Sequence, residues 1–108
     1  MKPLLAGVLA LASLSPAQGT RTFAGTITDD MCPKADHAGM RMGPTDAECV
    51  TACVAVHGAA YVLYDGATLY QLSDQQAPEA FAGQKVRVAG TLDAKTKTIH
   101  VESISAAR

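Results

Sequence analysis

The chain has 108 residues, a formal net charge of −1 at pH 7, three Cys, five Pro and no Trp. That length accommodates one compact domain and not two, so any function sits on a single scaffold. With both charge signs interspersed and few aromatic residues, the sequence has no basic footprint for nucleic acid, no polybasic stretch for anionic lipid and no broad stacking surface.

Met1, Lys2 and Pro3 precede an apolar run from Leu4 to Leu14, and Ser15-Pro16-Ala17 follows it as a small-x-small pattern. This predicts a secretion signal over residues 1–17, cleaved after Ala17, and a single domain over 18–108. The apolar run is about half of the roughly twenty residues a helix needs to cross a bilayer. The expectation is a mature chain without a membrane span, periplasmic or secreted. No Cys ends the apolar run, which argues against a lipoprotein. Removing Lys2 with the signal shifts the net charge to −2, since the signal holds no Asp or Glu.

From Thr22 to Thr28 the residues alternate, with Phe23, Gly25 and Ile27 on one face, as in a half-buried strand. Asp29 to Pro44 shows no period and reads as a loop, long for so small a domain, of a kind that is functional or tied down by a crosslink. A helix is predicted from Asp46 to His57: Thr45 with Glu48 three residues on is a capping box, and Gly58 is a C-terminal cap. Cys49, Val50, Ala52, Cys53, Val54 and Val56 make it apolar around much of its girth, which predicts a largely buried helix.

Ala60 to Tyr64 and Thr68 to Leu72 flank Asp65-Gly66, a dipeptide that favours a type I′ hairpin turn. Tyr61 and Leu63 then share a face with Thr68, Tyr70 and Leu72. Ala77 to Gly83 predicts one or two helical turns, with Pro78 near the start and Gly83 at the end. A second hairpin follows, with Val86, Val88 and Leu92 inward on one strand, Ile99 and Val101 inward on the other, and a polar Asp93–Lys97 turn. Phe23-Ala-Gly-Thr-Ile27 is echoed by Val88-Ala-Gly-Thr-Leu92, each with a Gly inside a strand, where a bulge or sharp bend is expected.

Five strands with a helical piece between the third and fourth is the order of an OB-fold barrel. The fold class is therefore mainly β (β+α), a small five-stranded OB-like barrel with an extra capped helix between strands 1 and 2. Gly25-Thr26-Ile27-Thr28-Asp29-Asp30-Met31-Cys32, the later Cys49 and Cys53, and Gly83-Gln84-Lys85-Val86-Arg87-Val88-Ala89-Gly90-Thr91-Leu92 carry a resemblance to small secreted bacterial OB-fold-like domains, an exported family with no assigned activity. The resemblance implies fold and compartment and no chemistry.

Cys32, Cys49 and Cys53 are an odd number for an oxidising compartment, so one thiol is left over from any single bridge. Cys49 and Cys53, four apart on a helix, have Cβ atoms about 6 Å apart, whereas a disulfide wants about 3.8 Å. A bridge would run from Cys32 to one of them and would tie the loop to the helix. Alternatively the cysteines are ligands. Cys49, Cys53 and His57 form a stripe along the helix, and the loop supplies Cys32, His37, Met40 and Met42. Thiolate, imidazole and thioether suit Cu(I), and Cys with His alone suits Zn(II). A four-ligand set is Cys32, His37, Cys49 and Cys53, with Met40, Met42 and His57 as further donors.

The run Cys49-x-x-x-Cys53-x-x-x-His57 is similar in spacing to the dinuclear copper loop of cytochrome oxidases, but it lies on a capped helix and no Met follows His57 at the interval that loop requires. A His at a helix C-terminus also serves the last carbonyls and the helix dipole. A Cys32/His37 nucleophile pair beside Asp29 and Asp30 lacks an orienting third group, and no phosphate loop, Ser elbow or Cys-x-x-Cys is present. The expectation is a non-enzymatic exported binding module that holds a soft metal ion, Cu or Zn, at the Cys/His/Met locus. The rival expectation is a disulfide-stapled barrel that binds a protein or small ligand, with the cysteines purely structural. A third is a thiol-redox protein that uses the leftover Cys. None of the three engages nucleic acid.

Overall fold

The computed structural model describes residues 19–31 and 45–107. The expected signal at 1–17 and the loop residues Cys32, His37, Met40 and Met42 lie outside the described residues. Five strands run Arg21–Asp29 (β1), Tyr61–Tyr64 (β2), Leu69–Leu72 (β3), Lys85–Asp93 (β4) and Thr98–Ala106 (β5). One α-helix, Asp46–His57 (α1), stands between β1 and β2, and a 3-10 helix, Ala77–Phe81, stands between β3 and β4.

The strands close into a barrel in the order β1-β2-β3-β5-β4. β1 completes the ring because its two halves have different partners. Its first half pairs antiparallel with β4 (Phe23 opposite Val88), and its second half pairs antiparallel with β2 (Ile27 opposite Leu63). A short parallel pairing of β3 with β5, Leu72 opposite Ile99, joins the two hairpins. This is the OB-like arrangement expected of the element order.

The alternating residues face inward as their period requires. Phe23, Ile27, Leu63, Leu72, Val86, Val88 and Ile99 are buried in one apolar cluster with Val50 of α1. Tyr70 packs at its margin, its ring edge-on to Phe23 with centroids 5.3 Å apart. The echoed glycines have a common steric cause. A Cβ on Gly25 would lie 2.5 Å from the Tyr64 carbonyl oxygen, and one on Gly90 would run into the His100 carbonyl. The β4–β5 register shifts between Ala89 and Gly90. At both positions the sheet curls so tightly that the adjacent backbone occupies the space of a side chain.

The bounds of α1 coincide with its sequence caps. The Thr45 hydroxyl accepts a hydrogen bond from the Glu48 N–H at 3.1 Å, and Gly58 (φ 72°) ends the helix by donating its N–H to the Cys53 carbonyl. Thr45→Ala should therefore cost about 1 kcal/mol, read as a lower urea midpoint at unchanged slope.

Two expectations are corrected. The helix is not largely buried: Cys49, Val50 and Cys53 are, whereas Ala52 and Val54 are half-buried and Val56 is 69% exposed. α1 meets the barrel core through Val50, so only one side has a partner, and the small apolar residues on its other side face solvent. The first hairpin turn is not type I′, which needs positive φ at both central residues. Of Asp65 and Gly66 only Gly66 is left-handed (φ 100°), and the loop spans Asp65 to Thr68. The Asp65 carboxylate takes over the turn. It accepts the N–H groups of Thr68 (2.6 Å) and Ala67 (2.8 Å), and the Asp65 N–H donates to the Thr68 carbonyl. Those two amides, Thr68 first, hold the Asp65 carboxyl below its ordinary range.

Candidate functional site

Along α1, two buried stripes run side by side at a spacing of four residues. Val50 and Val54 pack into or against the barrel's apolar cluster. Cys49 and Cys53 are each fully buried yet stand outside that cluster. The two sulfur-bearing side chains are therefore removed from water. Their common side follows from helix geometry, since positions four apart lie one above the other.

Near the helix, β1 ends on polar residues. Thr28 and Asp29 are fully buried. An Asp29 carboxylate oxygen accepts the Met31 N–H at 2.9 Å. Asp30 clamps the exit of β1 to the entry of β2: its N–H donates to the Ala60 carbonyl (3.0 Å), and its carboxylate accepts the Ala60 N–H (3.1 Å). The strand-end aspartates that stood beside the drawn Cys32/His37 nucleophile pair thus have structural bonds of their own.

Of the expected ligand set, the structure brings Cys49 and Cys53 to one buried stripe. His57 continues the four-residue spacing but is exposed in the last turn of α1, where an imidazole meets the helix C-terminal dipole. Cys32, His37, Met40 and Met42 lie outside the described residues. Among the described residues no three His, Cys, Asp or Glu side chains are grouped closely enough to hold a metal ion.

The outer side of the β2–β3 hairpin bears a cleft of about 380 Å³ lined by Asp30, Val62, Leu69, Gln71 and Gln75. The rings of Tyr61 and Tyr70 do not form a stacking face there, since Tyr61 is buried in the core and Tyr70 packs on Phe23. Sequence reasoning missed Gln75. Its side-chain amide mimics one residue of a strand, with Oε1 accepting the Tyr61 N–H at 2.8 Å and Nε2 donating to the Tyr61 and Leu72 carbonyls at 3.0 and 3.1 Å. It satisfies the main chain of β2 just past the end of β3. No periodicity marks such a residue, which sits in a turn rich in polar side chains.

No helix among the described residues is long and apolar enough to cross a membrane. A family model described as "Protein of unknown function (DUF5818)" matches residues 54–107, half of the chain. The matched segment holds β2 to β5 and begins one residue past Cys53. No curated protein and no solved structure matches the chain.

Proposed function

The chain belongs to the DUF5818 family, proteins of unknown function, and from that premise we propose that it is a non-enzymatic exported binding module that holds a soft metal ion. Cys49 and Cys53 supply two thiolates from α1, and Cys32 and His37 complete the set from the segment before the helix. Met40 and Met42 are further soft donors that favour Cu(I), and without them the set suits Zn(II). Export rests on the apolar run from Leu4 to Leu14 and the small residues that end at Ala17.

The observation that carries this reading is the burial of Cys49 and Cys53 together, one helical turn apart and off the apolar cluster. Cβ atoms about 5–6 Å apart suit two thiolates that share one ion at metal–sulfur distances of about 2.3 Å. The same separation exceeds the span of a disulfide between the two. Burial raises the cost of a charged thiolate unless a cation compensates it, so ion and helix stabilise each other.

A second reading is favoured by the β2–β3 cleft. In it Cys32 is bridged to Cys49 or Cys53, the cysteines only staple, and a small ligand or protein segment occupies the cleft beside Gln71 and Gln75. Thiol titration and metal analysis on one sample, purified without chelator from the extracytoplasmic fraction, separate the two. The metal reading expects about one Cu or Zn per chain, three thiols titratable in denaturant with chelator, and loss of the metal in both Cys49→Ser and Cys53→Ser. A single thiol with no metal assigns the stapled barrel. Three thiols with no metal would falsify both.

A further inference from the structure

We propose that the groove between α1 and the 3-10 helix is a binding site for a small organic ammonium ion carried on a short alkyl chain, held by Tyr61 and Glu79. The site is separate from the cysteine stripe and stands whether or not a metal binds there.

The groove is open to solvent and has a volume of about 420 Å³, within the range of about 300–1,000 Å³ that small-molecule sites span. Thr51, Ala52 and Ala55 of α1 form one wall, and Tyr61, Gln75 and Glu79 form the other side. Tyr61 is 4% exposed, its ring part of the barrel core. Its main-chain N–H and C=O are both taken by Gln75, and among the described residues its hydroxyl has no hydrogen-bond partner. The hydroxyl oxygen is not among the buried polar atoms left without a partner, so it reaches solvent, where a ligand can take the place of water. Burial, and then the Glu79 carboxylate, push the Tyr61 hydroxyl above its ordinary pKa, so it stays neutral and keeps a lone pair for a donor.

The remaining polar groups decide the sign of the ligand. Both ends of the Gln75 amide are committed to main chain. The Thr51 hydroxyl is turned back along the helix and donates to the Ala47 and Glu48 carbonyls. What is left lining the groove is the Tyr61 hydroxyl, which donates or accepts, and the Glu79 carboxylate, its one charged group and an acceptor, and no Lys, Arg or His lines it. An ammonium group has three donors and no acceptor, so it pairs with the carboxylate charge and a phenol lone pair while the phenol proton is left to water. The methyl groups of Ala52 and Ala55 then cover the alkyl chain.

The test is a titration of the full ¹⁵N-labelled chain with n-butylammonium, with n-butanol as the neutral isostere and butyrate as the anionic one. The ammonium ion should move the amide signals of Ala52, Ala55 and Gln75 saturably, at least about tenfold more tightly than the alcohol, while butyrate leaves them unchanged. Glu79→Gln should erase the difference between ammonium and alcohol, and Tyr61→Phe, which keeps the ring, should weaken the ammonium ion several-fold. The ammonium ion could be a free amine or the end of a lysine side chain. Nα-acetyl-lysine N-methylamide binding as well as n-butylammonium supports the lysine source, and its exclusion supports a free amine. Equal binding of alcohol and ammonium by the unaltered chain overturns the proposal, as does undiminished ammonium binding by Glu79→Gln.

Discussion

Leu63→Ala should destabilise the domain by about 2–5 kcal/mol, a large part of the about 5–15 kcal/mol that a domain has in total. Leu63 is fully buried at the centre of β2, with Ile27 of β1 opposite it on one side and Tyr70 of β3 on the other. Truncation leaves a cavity walled by strands that are hydrogen-bonded around a closed ring. The walls cannot collapse inward without breaking the ladder, so the loss belongs at the upper end of its range. Urea unfolding should show a lower midpoint with an unchanged slope. Val56→Ala is the control: the residue is 69% exposed, and its loss should change stability by no more than about 0.5 kcal/mol. A loss at Leu63 no larger than that at Val56 would remove Leu63 from the core.

Gly83→Ala should cost about 3 kcal/mol and should loosen the first turn of α1. Two effects combine at this residue. Its φ of 76° is left-handed, which costs a side-chain-bearing residue about 1–2 kcal/mol. An added Cβ would also lie 2.8 Å from the Ala47 nitrogen and 3.1 Å from the Asp46 carbonyl carbon. Those atoms are backbone and cannot rotate away, so overpacking adds about 1–3 kcal/mol. Gly83 meanwhile donates its N–H to the Ile27 carbonyl at 2.9 Å, and the Gln84 carbonyl accepts the Ile27 N–H at 3.0 Å. The segment before β4 is thus pinned to β1 on one side and touches the start of α1 on the other. Relief comes by moving the helix, two residues before Cys49. Hydrogen exchange should accelerate at the Cys49 amide, which donates to the Thr45 carbonyl, and the metal proposed at Cys49 and Cys53 should bind more weakly. Unchanged exchange in the first turn, with stability lowered by less than about 0.5 kcal/mol, would show that this close approach is not maintained in solution.

The candidate sites differ in how far they could be read in advance. The Cys49/Cys53 stripe was legible because the helix was legible, and a helix converts a spacing of four into a shared side. That the stripe is buried beside the apolar cluster, and not within it, depends on where the barrel meets α1. The ammonium groove was illegible. Tyr61 and Glu79 are 18 residues apart in different elements, and only the tertiary structure brings both to one groove. Gln75 was missed for a related reason, since its amide answers main-chain groups of β2 and β3 that are exposed only by the point at which β3 ends.

Elements governed by contacts over a few residues were determined by the sequence itself. The bounds of α1 follow from the Thr45 and Gly58 caps, and the inward residues of β4 from a period of two. Even the glycines at 25 and 90 mark where strands bend, before any neighbour is known. Tertiary structure alone decided which side of α1 is covered, the parallel pairing of β3 with β5, and the approach of Gly83 to Ala47. It also decided the first turn, where the Asp65 carboxylate captured the Thr68 and Ala67 amides once the strands had set the loop's span. Local hydrogen bonds and side-chain alternation act between near neighbours and are written in their order, whereas burial and close approach depend on which distant backbone arrives.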